Sequence, residues 1–310
     1  MIKKAASLLV KAAVSGLLLY FALNLVNLET VASRLAQVAP GWLVLMLVAM
    51  LAQTALLAVR WGRLLAACGA EMPPHALFRM SMIAMFFNQT LPSSAGGDVM
   101  RIWLAGRQAG WKAATYSVLL DRIVGVVALA LLVVVCLPWS RQLVTDPVGR
   151  TALMVIGYGC LGAGAAFVSL AWNWVPFLHR WGPTRHLTGV AGVALSILRS
   201  PRNLVTIFTP SLAIHLLTAF AAWCAARSVA ADLSLLAALF LVLPVILISV
   251  VPISIAGWGV REGAMVAAFG YAGLAAGDGL IVSLLLGAGY LVLGIAGGIV
   301  WVTRREKAPA

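Results

Sequence analysis

The stretch Leu91-Pro92-Ser93-Ser94-Ala95-Gly96-Gly97-Asp98-Val99-Met100-Arg101 decides the fold, because the other half of the chain holds a second version of it, Val251-Pro252-Ile253-Ser254-Ile255-Ala256-Gly257-Trp258-Gly259-Val260-Arg261-Glu262. Both read Pro-x-Ser-x-x-Gly-x-x-x-Arg. Each places a helix breaker, a hydroxyl, glycines and an arginine near an acid inside a long apolar run. A charged side chain at the centre of a lone membrane helix costs about 2.5–3.5 kcal/mol on insertion scales, so such residues persist only beside a partner or a wet cavity.

The rest of the chain supplies the membrane. Its 310 residues are 63% hydrophobic and 10% charged, with a mean hydropathy of +1.02. No water-soluble domain can be cut from such a composition. A spanning helix needs about 20 apolar residues; several runs reach that length, and the ten-residue alternation of a membrane barrel is absent. The expectation is an all-α polytopic membrane protein forming a single transmembrane domain over 1–310. Spans are expected near 6–26, 41–60, 113–138, 150–172, 204–226 and 279–302. Two further apolar segments, 75–112 and 233–277, each fold around one motif as a re-entrant hairpin or an equivalent helix pair. Lys11 interrupts the first apolar run and no small-x-small cleavage site follows it, so an uncleaved first span is expected rather than a signal peptide.

Loop charge orients these elements. Lys3 and Lys4 precede the first span; Glu29 balances Arg34 in the 27–39 loop; Arg60, Arg63 and Arg79 outweigh Glu71 after the second span. Arg101, Arg107 and Lys112 follow the first motif, the 140–149 loop is nearly neutral, and 173–203 carries Arg180, Arg185, Arg199 and Arg202 without an acid. Arg227 then balances Asp232, and the 303–310 tail is basic. The positive-inside rule puts both termini in the cytoplasm. It also explains the net charge of +13 without nucleic acid as a partner. With that orientation the first half, 1–149, begins inside, and the second, 150–302, repeats its order beginning outside. Inverted halves belong to alternating-access transporters, with the substrate near the midplane between broken helices.

The residues that could hold a substrate follow. Asp98 with Arg101, Arg261 with Glu262, and Asp121 beside Arg122 are the charged groups inside apolar segments. Asp121 and Arg122 point about 100° apart on a helix, so at least one faces the interior, where Asp121 could pair with an arginine of the other motif. Arginine fits phosphate bidentately and keeps its charge, and a glycine-rich turn opening onto a helix adds free amides and the positive dipole end. Ser94, Ser254 and Asn88 could add neutral hydrogen bonds; Pro92 and Pro252 break the helix; Gly96, Gly97, Gly257 and Gly259 let the hairpin tips approach. The serines and Asn88 could equally satisfy local backbone.

Other chemistry lacks support. His75, His179, His186 and His215 are scattered, so no metal site is expected, and no nucleotide loop or cofactor motif occurs. His215, inside a span, is either packed or proton-linked. Cys68, Cys136, Cys160 and Cys224 lie apart and read as packing residues. Trp42, Trp61, Trp139, Trp172, Trp174 and Trp301 mark span edges as an interfacial belt. Arg185 to Ser200 places Leu187, Val190, Val193 or Ala194, and Ile197 at helical spacing, as an amphipathic helix lying on the cytoplasmic leaflet would.

Phe86-Phe87-Asn88-Gln89-Thr90 running into the first motif, Asp121-Arg122 with Gly125, the second motif through Gly263, and Arg60-Trp61-Arg63 with Gly69 together resemble the lysylphosphatidylglycerol synthase transmembrane-region family. This flippase-like domain also forms the N-terminal part of the bacterial multiple peptide resistance factor. The resemblance implies movement of a lipid between the leaflets of a bacterial inner membrane, with lysylphosphatidylglycerol as substrate in the best-known members. The chain as given ends at Ala310 without a soluble acyltransferase-like domain, so aminoacyl transfer is not expected of it. The lipid could be an anionic or zwitterionic phospholipid, a polyprenyl-phosphate-linked sugar or a hopanoid-type lipid. Arg101 and Arg261 would hold its phosphate from opposite sides, with Asp98, Glu262 and Asp121 balancing them when the site is empty. Two rival readings are a non-transporting partner of a lipid- or glycan-modifying synthase and an intramembrane transferase using Asp98 or Glu262 as base.

Overall fold

The computed structural model describes residues 16–17, 20, 23–26, 28–91, 95–144, 146–170, 182–250 and 258–303. Among them the chain forms eleven α-helices and no strand. They are α1 (Leu28–Leu35), α2 (Pro40–Ala67), α3 (Pro74–Thr90), α4 (Gly96–Ala109), α5 (Trp111–Leu143), α6 (Pro147–Ser169), α7 (Gly182–Arg199), α8 (Pro201–Ser228), α9 (Leu235–Ser249), α10 (Val260–Tyr271) and α11 (Ala276–Val302). Helices α2, α5, α6, α8 and α11 are long and apolar enough to cross a membrane. They coincide with five of the six expected spans; most of the sixth, 6–26, lies outside the described residues, as does all but the first residue of the 303–310 tail.

Helix starts follow local chemistry. Proline opens α2, α3, α6 and α8, where its missing N–H has no intrahelical use and its φ is already helical. Asp146 caps α6 by accepting the Gly149 N–H at 2.9 Å, and Ser234 caps α9 by accepting that of Ala237 at 3.0 Å.

Each motif lies in a helical hairpin. At 1.5 Å per residue α3 and α4 are about 26 and 21 Å long and α9 and α10 about 22 and 18 Å, all short of the ~30 Å hydrocarbon core. The first hairpin starts and ends where α2 finishes, and the second where α8 finishes, at the other end of the bundle. The end carrying the first hairpin's base exposes Arg63, Arg79, Arg107, Lys112, Arg199 and Arg202 with Glu71. The opposite end mixes Glu29, Arg34, Asp146, Arg150, Arg227, Asp232 and Asp278, so among the described residues the basic surplus lies at one end. Arg34 bonds Asp278 there at 2.8 Å, but its side chain is 37% exposed. Arg34→Gln is therefore expected to lower unfolding stability by no more than about 1 kcal/mol, measured by thermal unfolding in detergent.

Packing repeats itself across the two halves. Helices α2 and α8 form the central pair, in which the buried small residues Ala221, Ala222, Ala225 and Ala226 let the helices approach closely. Around them α3 packs on α11 and α9 on α5; α4 on α5 and α10 on α11; α2 on α5 and α8 on α11. Every pairing among α2 to α5 thus has a counterpart among α8 to α11.

Helix α7 departs from expectation. Rather than laying its apolar stripe on a leaflet, it buries Val190 and Ile197 against Leu64, Tyr116, Leu120 and Ile207, while Leu187 stays exposed. Tyr116 approaches closely at Gly189 and its hydroxyl meets His186 Nδ1 at 3.0 Å.

Candidate functional site

The site is built where the first hairpin meets α2 and α5. A Cβ on Gly97 would stand 2.5 Å from the Ala84 carbonyl oxygen and 2.6 Å from Asn88 Oδ1, so only glycine lets α4 start this close to α3. The Gly97 N–H, buried in this contact, donates to Asn88 Oδ1 at 2.8 Å. That contact fixes the first turn of α4 and aims Asp98 and Arg101, three residues apart, toward α5.

Arg101 Nη1 donates to Asp121 Oδ2 at 2.9 Å and stands 3.6 Å from Asp98 Oδ1. The other oxygen of Asp121 accepts from Arg60 Nε at 2.7 Å, and Arg122 Nε pairs with Asp98 Oδ2 at 2.8 Å. Arg60 also donates to Ser211 on α8 at 3.3 Å. The Arg101 guanidinium lies 4.2 Å over the Trp61 ring, whose Nε1 donates to Ser117 at 3.1 Å. Arg60, Arg101 and Asp121 are each no more than 4% exposed.

These groups face a cavity of about 380 Å³, lined by Arg60, Asn88, Asp98, Arg101, Asp121 and Arg122, by Gln53, Thr54, Ser81, His215, Ser249 and Tyr290, and by apolar side chains. Three donors on its lining residues have no protein partner: Arg101 Nε and Nη2 and Gln53 Nε2, all buried and unbonded. Buried arginine donors normally find acceptors, so an unpaired pair on a residue that lines a cavity marks a place for an anion. His215 Nε2 donates to the Gly125 carbonyl at 2.9 Å, fixing its ring in the wall.

The second motif is closed on itself. Arg261 donates from Nη2 to Glu262 Oε1 at 2.7 Å and from Nε to Ser283 at 2.9 Å, and Ser283 donates to the same carboxylate oxygen at 2.9 Å. Glu262 Oε2 accepts the Gly259 N–H at 2.6 Å, securing the first turn of α10 after the left-handed Gly259, φ +86°. Arg261 and Glu262 do not line the cavity. They lie behind α11, where Gly287 meets the Arg261 guanidinium and Tyr290, a turn later, reaches the cavity.

The structure therefore brings together Asn88, Asp98, Arg101, Asp121 and Arg122 and leaves Arg261 and Glu262 apart. Pro92, Ser94, Pro252, Ser254 and Gly257 lie outside the described residues. Asp121 pairs within its own half rather than with an arginine of the other motif, because α5 packs on α2 and α4. The glycines Gly96 and Gly97 serve the contact between the two legs of one hairpin.

Arg60 and Trp61 correct the reading of a charged loop and an interfacial ring. Helix α2 continues to Ala67, which puts Arg60 on the buried face with Leu64 and leaves Trp61 with no exposure. The signal was the four-residue spacing of Arg60 and Leu64 beyond the apolar span.

The sequence profile described as Lysylphosphatidylglycerol synthase TM region matches residues 8–298. The chain belongs to that family. No curated protein matches it. In this member of the lysylphosphatidylglycerol synthase transmembrane-region family the matched span includes Arg60, both motifs and the helices that carry them, so the cavity is part of the family domain.

Proposed function

We propose that this protein is a lipid translocase whose cavity holds the phosphate of a lipid headgroup, with Arg101 as the principal ligand. The observation that carries the proposal is the pair of buried, unbonded donors on Arg101, a residue that lines a cavity among spanning helices. At 1.5 Å per residue Arg101 sits about 12 Å inside the basic end of α4, within the hydrocarbon zone rather than at its edge. A phosphate there would accept two parallel bonds from one guanidinium.

On this reading residues 1–149 and 150–302 are an inverted repeat, supported by the matched helix pairings, and the basic end faces the cytoplasm of a bacterial inner membrane with both termini on that side. Arg261 and Glu262 are then the counterpart site, closed in this conformation and opened when the cavity turns to the other face. The transferase reading is weakened because Asp98 and Glu262 both already accept charge-assisted bonds.

The test is transbilayer movement of fluorescent phospholipids in vesicles containing the purified protein. Wild type is expected to accelerate movement and Arg101→Gln to remove the acceleration while the protein still folds. Arg261→Gln should also slow movement if the two arginines act in turn; an unaffected Arg261→Gln reduces the mechanism to one arginine. Full activity in Arg101→Gln sinks the proposed site.

A further inference from the structure

Charge in the cavity is not balanced. Three arginines, Arg60, Arg101 and Arg122, face two carboxylates, Asp98 and Asp121, a surplus of one formal positive charge. Asp121 is shared by Arg60 and Arg101, and Asp98 is held by Arg122 at 2.8 Å, its approach to Arg101 being the longer 3.6 Å. The surplus therefore resides on Arg101, where Nε and Nη2 lack acceptors. Among the described residues no other carboxylate lines the cavity. The neighbouring stretches 92–94 and 251–257 contain no ionisable residue, and Arg261 with Glu262 forms a neutral pair. Protonation of His215, the remaining titratable imidazole in the wall, would only add to the surplus.

The uncharged lining has a direction of its own. Thr54, Ser81 and Ser249 spend their protons on the carbonyls of Met50, Leu77 and Val245, so their oxygens are left as acceptors. Gln53 Nε2 is a donor without an acceptor.

We infer that the cavity selects lipids whose phosphate headgroup is net anionic and carries hydroxyls, and disfavours zwitterionic and cationic headgroups. This inference rests on the translocase reading and names its substrate class. Phosphate oxygens accept from Arg101 and Gln53 while headgroup hydroxyls donate to Thr54, Ser81 and Ser249 without adding charge. An ammonium could donate to the same oxygens, but every carboxylate in reach is already paired and the net field repels it.

The experiment compares fluorescent lipids with identical acyl chains in vesicles containing the full chain: phosphatidylglycerol, phosphatidylcholine and an aminoacylated phosphatidylglycerol. Phosphatidylglycerol is expected to move about tenfold faster than phosphatidylcholine, with the cationic lipid slowest, as one uncompensated charge in a low-dielectric site implies. Gln53→Glu supplies the missing carboxylate and is expected to bring the anionic and zwitterionic rates to near equality. Equal rates in wild type, or preference for the cationic lipid, overturn the inference and leave the translocase standing. Movement of no lipid overturns both. Gln53→Glu retaining wild-type discrimination also overturns it, and should that variant fail to fold, the wild-type series decides alone.

Discussion

Asp121→Ala is expected to destabilise the protein by about 3–5 kcal/mol, the effect of removing one member of a buried ion network and stranding its partners. Asp121 accepts from Arg60 at 2.7 Å and from Arg101 at 2.9 Å, and it joins α2, α4 and α5 through those bonds. Without it two guanidiniums face each other's charge in a buried site. The loss is specific to charge left behind, which gives a second arm to the measurement. Combining Asp121→Ala with Arg60→Met removes one cation with the anion, and the double variant is expected to be more stable than Asp121→Ala alone. Thermal unfolding in detergent reads both. A double variant with the summed losses of the single ones would mean that Asp121 acts through packing rather than charge.

Gly297→Ala is expected to cost about 3 kcal/mol, at the upper end of what overpacking a well-filled interface usually costs. The reason is what the new methyl would meet. A Cβ at Gly297 would overlap the Met82 backbone carbonyl on α3, which cannot swing aside as a side chain can. Helix α11 would have to move off α3, and α3 is the leg against which Gly97 seats the arginine-bearing α4. Gly162 on α6 is the control, because a methyl there meets nothing within 4 Å. Gly162→Ala should unfold at or slightly above the wild-type temperature, since alanine is the better helix former. Equal losses at the two positions would show that helix propensity, not the close approach of α3 and α11, sets the response.

Much of this architecture is legible in the sequence because a membrane leaves so few options. Apolar length found five of the spans, and the cost of burying charge singled out Asp98, Arg101, Asp121, Arg122, Arg261 and Glu262 before any coordinates. Both arginine motifs start helices, as their glycines suggested. What sequence could not give is which charged residues meet. Asp121 finds Arg101 and Arg60 because three helices converge, and convergence is a property of packing, not of spacing along one segment. Arg60 was hidden for a related reason: it lies where the apolar run ends, and loop-charge counting assigns such residues to water. Only the continuation of α2 through Leu64 and Leu65 turns it inward. The asymmetry between the motifs was equally invisible. Glu262, adjacent to Arg261, can satisfy it locally with the help of Ser283, whereas Asp98 lies a turn away from Arg101 and is drawn off by Arg122. One copy closes and the other is left with free donors.

The central claim is that Arg101 receives a lipid phosphate, and the most direct measurement is an experimental structure of the protein in a lipid nanodisc containing phosphatidylglycerol. The account predicts headgroup density in the cavity with phosphate oxygens about 3 Å from Arg101 Nε and Nη2, within ordinary hydrogen-bond reach. A cavity holding water alone, or lipid density that bypasses Arg101 along the outer faces of the spans, would contradict it.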